Sequence, residues 1–151
     1  MKYSTKVSDA VHILAFINLN PDLPLTSERI AISVQTNASY VRQLMSTLRK
    51  AGLLRSIKGH AKPELAKEPT EITLLDVYRA VEGRKPLLHL DTHTNPNCGV
   101  GVHIQEALQD SFDQVQNRAE EEMAHITLQN VLDEYEKRIQ RLEHPVKPAK
   151  K

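Results

Sequence analysis

Residues 38–51 combine a periodic set of apolar residues with polar and basic side chains. Apolar residues recur there at helical spacing, which predicts a helix with one buried face made of Val41, Leu44, Met45 and Leu48. The other positions are mostly polar, and Arg and Gln side chains can form hydrogen bonds with guanine and adenine edges in the major groove of DNA. We therefore predict base contacts near the start of this helix, from Ser39, Tyr40, Arg42 and Gln43.

Basic and hydroxyl side chains around this helix are candidates for contacts with DNA phosphates. The cations among them are Arg49, Lys50, Arg55, Lys58 and Lys62, and Thr26 and Ser27 stand at the predicted start of the preceding short helix. Residues 1–68 contain ten Lys or Arg and five Asp or Glu, whereas residues 69–151 contain ten and fourteen. This asymmetry indicates that the first half of the chain is the part that contacts a polyanion such as DNA.

A second group of reactive residues lies in a polar segment rich in Pro and Gly. His89, His93, Cys98 and His103 have an H-x3-H-x4-C-x4-H spacing, which zinc would accept but which matches no established zinc signature. The alternative is a polar surface loop without metal. Cys98 is the only cysteine, and it is either a redox-sensitive thiol or an inert residue that packs like alanine.

The composition limits the classes of function. One cysteine excludes an intramolecular disulfide framework, and no apolar run approaches the roughly 18 residues that a membrane span needs. We find no set of nucleophile, base and orienting group, and no phosphate-binding loop, so we expect no enzymatic activity. We expect a cytoplasmic protein.

These residues must be positioned by a mainly α-helical fold with a small β-hairpin. The pattern predicts helices at 7–18, from about Ser27, at 38–51 and at 74–82, with Val7, Ala10, Val11, Leu14 and Ala15 facing inward from the first. A strand at 53–58, a tip at 59–64 and a return strand at 65–67 precede the fourth helix, whose Thr73-Leu74-Leu75-Asp76 start is typical of a capping box. This order predicts a winged helix-turn-helix.

A long helix follows in the second half of the chain. Its apolar residues step by three or four positions, which is close to a heptad repeat and predicts a homodimer interface made of Ile104, Leu108, Phe112, Val115, Ala119 and Met123. We therefore divide the chain into a DNA-binding domain (1–83), a linker or sensor loop (84–102), a dimerisation region (103–143) with a break near Thr127, and a disordered tail (144–151).

Three blocks of residues resemble one family of regulators. They are Asn37-Ala38-Ser39-Tyr40-Val41-Arg42-Gln43-Leu44, Leu48-Arg49-Lys50-Ala51-Gly52-Leu53-Leu54 and the segment from Ile72 to Glu82. Together they resemble the Rrf2 family of winged helix-turn-helix transcriptional regulators, typified by IscR, NsrR and CymR. Asn95-Pro96-Asn97-Cys98 and Ile104-Gln105-Glu106-Ala107-Leu108 are similar to its YwnA-like branch. The resemblance implies a homodimer that binds a partly palindromic operator on double-stranded DNA.

The chain departs from the family pattern in two places. Many members have a glycine-glycine-aromatic wing tip, whereas this chain has Gly59-His60-Ala61-Lys62-Pro63-Glu64-Leu65. Members that hold an iron–sulfur cluster use three cysteines, whereas only Cys98 is present here, so we expect no such cofactor.

We predict a repressor that responds to a small molecule or oxidant, with Cys98 as the redox candidate. The alternative is a winged-helix adaptor, or a module for a small ligand or metal, that does not bind DNA.

Overall fold

The computed structural model describes residues 3–56 and 62–143. Among these residues are six helices and one antiparallel hairpin. In chain order they are α1 (Lys6–Leu19), α2 (Ser27–Val34), α3 (Ala38–Lys50), β1 (Leu54–Ser56), β2 (Pro63–Leu65), α4 (Leu74–Glu82), α5 (Gly99–His125) and α6 (Leu128–Glu143). The predicted winged helix-turn-helix with a long C-terminal helix is confirmed.

Short polar residues set the ends of the helices in the helix-turn-helix. The side chain of Thr26 accepts a hydrogen bond from the Arg29 backbone at 3.2 Å, and Asn37 accepts one from the Tyr40 backbone at 2.8 Å. Each satisfies an amide that the first turn of the helix leaves without a partner. Gln35 ends α2 in the left-handed conformation, with φ of 58°, and thereby turns the chain toward α3.

The hairpin differs from the prediction. Leu54 pairs with Leu65, Arg55 with Glu64 and Ser56 with Pro63, so Pro63 and Glu64 belong to the return strand and not to the tip. Proline has no amide hydrogen, but it is tolerated as the first residue of a strand, which is its place here. Ala66 and Lys67 follow the strand. Residues 57–61, which are the end of the predicted first strand and the start of the predicted tip, lie outside the described part.

The core lies between α1, α3, α4 and the start of α6. All four predicted apolar residues of α3 are buried. On α1 the predicted face is partly wrong, because Ala10 and Leu14 are buried together with Ile13 and Ile17, whereas Val7, Val11 and Ala15 lie at its edge. Because α1 contacts α3, α4, β2 and α6, its neighbours on several sides decide which of its many apolar residues are covered.

The end of α5 is anchored to the start of α4. The Leu74 amide donates to the Ile126 carbonyl at 2.7 Å, and the Leu128 amide donates to the Ile72 carbonyl at 2.8 Å. These bonds flank the chain break predicted near Thr127, after which Leu128 and Leu132 of α6 enter the core. Thr73 and Asp76 form the predicted capping box at the start of α4.

The helix α5 is exposed along its length. It begins at Gly99, four residues before the predicted boundary, and none of its 27 residues is fully buried. In the predicted seam, Ile104 is 44% exposed and Val115 is 49% exposed, while Leu108, Phe112, Ala119 and Met123 are half-buried. None of the helices in residues 3–56 and 62–143 combines the length and the apolar character that crossing a bilayer demands.

Candidate nucleic-acid interface

The outward face of α3 presents three of the four predicted base-contacting side chains. Ser39, Arg42 and Gln43 are exposed on the first two turns, and Arg49 and Lys50 are exposed at the end of the same helix. The opposite face is held in the core by its four buried apolar residues. The helix therefore presents hydrogen-bonding groups, including that of Arg42, near its start and two further cations at its end.

Arg42 is held in place by a carboxylate from the preceding helix. Its Nη1 atom lies 3.2 Å from Oε1 of Glu28 on α2, and both side chains are more than half exposed. The pair orders the guanidinium group on the outward surface, although an exposed ion pair adds little to folding stability. The sequence pattern does not predict the pairing of Glu28 with Arg42, since a separation of 14 positions across a turn has no periodic signal.

Tyr40 lies apart from the other predicted base-contacting residues. Its side chain is half-buried against the core, and its hydroxyl donates a hydrogen bond to Oδ2 of Asp9 on α1 at 2.9 Å. Thr5 donates to the same carboxylate oxygen at 3.0 Å. Partial burial, followed by the hydrogen bond to Asp9 and the charge of Asp9, raises the pKa of Tyr40 to about 12. This placement favours a role for Tyr40 in fixing α3 against α1.

The other residues predicted to contact phosphates differ in their exposure and in the partners of their side chains. Arg55 is exposed on β1 and pairs across the hairpin with Glu64 at 3.2 Å. Lys62 is half-buried just before β2, and Lys58 lies outside the described residues. The Thr26 side chain is occupied in capping α2, and Ser27 is half-buried at the first position of that helix. Their backbone amides at the helix start remain suited to an anion.

An apolar side chain also stands on this surface without a partner in the core. Ile32 of α2 is 78% exposed, and the neighbouring Ser33 bonds through its hydroxyl to the His12 ring at 2.9 Å. A periodic apolar pattern predicts which residues are buried, so it does not identify Ile32 as an exposed apolar residue. Ile32 follows Glu28 by about one helical turn, so it lies on the face of α2 that carries the partner of Arg42.

Cys98 and the histidines of the predicted sensor segment do not come together as a ligand set. Cys98 is exposed at the residue preceding α5, where its carbonyl accepts a bond from the Val102 amide at 2.9 Å. His93 lies 4.0 Å from Asp91, and His103 lies 3.7 Å from Glu106. Nowhere in the described ranges do three His, Cys, Asp or Glu side chains form a group able to hold a metal ion.

Comparison with known proteins places this geometry in a family. The sequence model of the Rrf2 family, described as "Iron-dependent Transcriptional regulator", matches residues 3–134. The donor set of this chain does not fit an iron centre, because Cys98 is the sole cysteine and the side chains around it are scattered.

Individual relatives agree with the family match. YwnA of Bacillus subtilis, provisionally assigned as an HTH-type transcriptional regulator, is 40% identical over 130 residues, which are 86% of this chain and 96% of YwnA. The HTH-type transcriptional regulator CymR of Bacillus subtilis is 30% identical over 116 residues, which are 75% of this chain and 84% of CymR. A crystal structure of a provisionally assigned DNA-binding protein is 40% identical, has a TM-score of 0.69, and matches over 84% of this chain and 98% of that one. This chain belongs to the Rrf2 family of transcriptional regulators.

Proposed function

We propose that the protein is a transcriptional repressor that binds a partly palindromic operator as a homodimer. One observation carries the proposal: α3 buries its four apolar residues and presents Ser39, Arg42 and Gln43 on the outside, ahead of Arg49 and Lys50. A helix of this kind fits the major groove, where its first residues reach base edges and its later cations reach phosphates. Ser39, Arg42 and Gln43 read the bases, and Tyr40 positions α3.

The exposure of α5 supports the proposed dimer. Ile104 and Val115 are about half exposed and lie along the same stripe as the half-buried Leu108 and Phe112. A stripe of this length is covered by the same stripe of a second copy in a two-fold dimer. Such a dimer presents two α3 helices, which must lie about 34 Å apart to reach successive major grooves. The protein acts by binding DNA and not by catalysing a reaction. It does so in the cytoplasm.

A gel-shift experiment across a salt series tests the proposal. The protein is mixed with the DNA upstream of its own gene and, separately, with a shuffled duplex of equal length. We expect preference for the upstream DNA, and affinity that falls steeply as salt rises, because bound phosphates release counterions. Equal and weak binding to both duplexes would overturn the proposal in favour of a winged-helix adaptor that does not bind DNA.

A further inference from the structure

A cavity of about 500 Å³ opens where the winged domain meets α5. It lies between the end of α4, the segment after it and the middle of α5, and its polar lining is made of Tyr78, Arg79, Arg84, Lys85, Gln116 and Glu120. This volume falls within the usual range for sites that bind small molecules. The cavity is separate from α3 and from the hairpin.

The charges around the cavity favour an anion. Arg79, Arg84 and Lys85 are three cations, and Glu120 is the one carboxylate in the lining. Arg79 lies 3.7 Å from Glu120, whereas neither Arg84 nor Lys85 forms an ion pair with any of the described residues. Arg84 and Lys85 are therefore available as charged donors to an oxyanion, and the guanidinium group of Arg84 can bind a carboxylate or phosphate through paired hydrogen bonds.

The cavity is built on a hydrogen-bonded connection between three parts of the chain. The buried Tyr78 of α4 donates its hydroxyl to the Lys85 carbonyl at 2.5 Å and accepts a bond from Gln116 Nε2 of α5 at 3.2 Å. Oε1 of Gln116 accepts a bond from the Leu87 amide at 2.9 Å. The backbone that carries Arg84 and Lys85 is therefore fixed to both α4 and α5.

We propose that this cavity binds a small metabolite carrying a carboxylate or phosphate group, and that its occupancy changes operator affinity. The oxyanion binds Arg84 and Lys85, and Arg79 joins them when it leaves Glu120. Because Glu120 and Gln116 belong to α5, whereas Tyr78 and Arg79 belong to α4, a ligand there favours one angle between the two helices. The effect on DNA rests on the proposed function, but the binding of the anion does not.

Calorimetric titration of the full-length protein tests the site. Succinate and inorganic phosphate are titrated separately at constant ionic strength, so that each arm represents one source of the oxyanion. We expect saturable binding of at least one of them, with one anion per chain. The double variant Arg84→Gln/Lys85→Gln should weaken this binding at least about tenfold, because it removes two charged donors.

The matched control is Arg118→Gln/Arg138→Gln, which removes the same charge from exposed helical ion pairs outside the cavity. It should bind the anion as the wild type does. If neither anion saturates the wild type, or if the control loses binding as severely as the cavity variant, the site is overturned.

A second measurement tests the coupling to DNA. Saturating anion should change the operator affinity of the wild type several-fold, within the usual range for coupled sites, and should leave the affinity of the cavity variant unchanged. Tyr78→Phe should retain anion binding but reduce this change, since Tyr78 is a positioning residue. DNA binding that never responds to a bound anion overturns the coupling. If the protein binds the anion but never binds DNA, the proposed function is overturned, whereas the assignment of the cavity as an anion site is retained.

Discussion

Arg42 of α3 and Glu28 of α2 form an ion pair, with 3.2 Å between Nη1 and Oε1, on the surface that faces outward from the helix-turn-helix. The carboxylate orders the arginine in the free protein, and it also places a negative charge where DNA phosphates would approach. Glu28→Gln should therefore raise affinity for random duplex a few-fold, so that discrimination in favour of the operator falls.

The same substitution should change the free energy of unfolding by less than about 1 kcal/mol, because the pair is exposed. Fluorescence anisotropy with both duplexes measures the affinities, and Glu136→Gln on α6 is the control for a lost negative charge. Unchanged binding to random duplex would show that Glu28 lies away from the DNA.

Arg42 and Lys50 should contribute differently to recognition. Arg42→Ala should cost about 1–3 kcal/mol on the operator and relax sequence choice at one base pair, as expected for a side chain that contacts a base. Lys50→Ala should weaken operator and random duplex equally and reduce the salt slope by about one. Parallel titrations of the two variants on both duplexes measure this. Equal losses on both duplexes for Arg42→Ala would contradict its assignment.

Tyr40 should make the stability of the fold depend on pH in alkaline solution. Its pKa is raised to about 12 in the folded chain and is about 10 in an unfolded one, so its contribution is complete below pH 10 and is lost as the pH rises through 12. Tyr40→Phe should lose about 0.5–1.5 kcal/mol at neutral pH, since the hydrogen bond to Asp9 is removed.

Between pH 10 and 12 the difference between wild type and Tyr40→Phe should shrink. Urea unfolding at several pH values measures it, and the absorbance of tyrosinate reports the ionisation directly. A constant difference across this range would show that the Tyr40 hydroxyl has no special environment.

Val115→Asp should convert the proposed dimer to a monomer and abolish operator binding, because it places a charge in the stripe of α5 that we assign to the interface. Val115 is half exposed in the single chain, so its replacement leaves the fold intact. Sedimentation velocity measures the mass of the particle. Gln114→Asp, one position away and outside the stripe, is the control, and a dimeric Val115→Asp would show that the interface lies elsewhere.

Oxidation of Cys98 should lower operator affinity. The thiol is exposed at the residue preceding α5, so a disulfide or sulfenic acid there adds bulk or polarity beside the helix that we assign to the dimer. Gel shifts with reduced and peroxide-treated protein measure the effect, and dithiothreitol should reverse it. If Cys98→Ser responds to peroxide as the wild type does, another group is the target.

The sequence was most informative for α3, because the apolar residues of this helix are confined to one face. The period of α3 predicts all four of its buried residues, and the segment from Thr73 to Asp76 predicts the capping box of α4. On α1 the prediction is partly wrong. Apolar residues lie on several sides of this helix, and the packing of the surrounding elements determines which of them are buried.

In the candidate interface, too, some features can be predicted from the sequence and others cannot. Residue types and helical spacing predict that Arg42 and Gln43 are exposed, but they give no sign that Tyr40 bonds to Asp9 or that Glu28 pairs with Arg42. Those contacts join different helices and depend on the angle at which the helices pack. The contact between Leu87 and Gln116 is likewise tertiary, so the sequence predicts a polar connecting segment without predicting the cavity beside it.

The contacts of α5 with α4 and with Leu87 lie in its C-terminal half, which makes its N-terminal half a lever. Backbone hydrogen bonds fix Ile126 and Leu128 to the start of α4, and Gln116 bonds to Tyr78 and Leu87, whereas Gly99 lies 17 residues before Gln116. At 1.5 Å per residue this length is about 25 Å, so a rotation of about 5° around Gln116 displaces the far end by about 2 Å. Small changes in packing around Gln116 are thereby magnified at the N-terminal end of the helix.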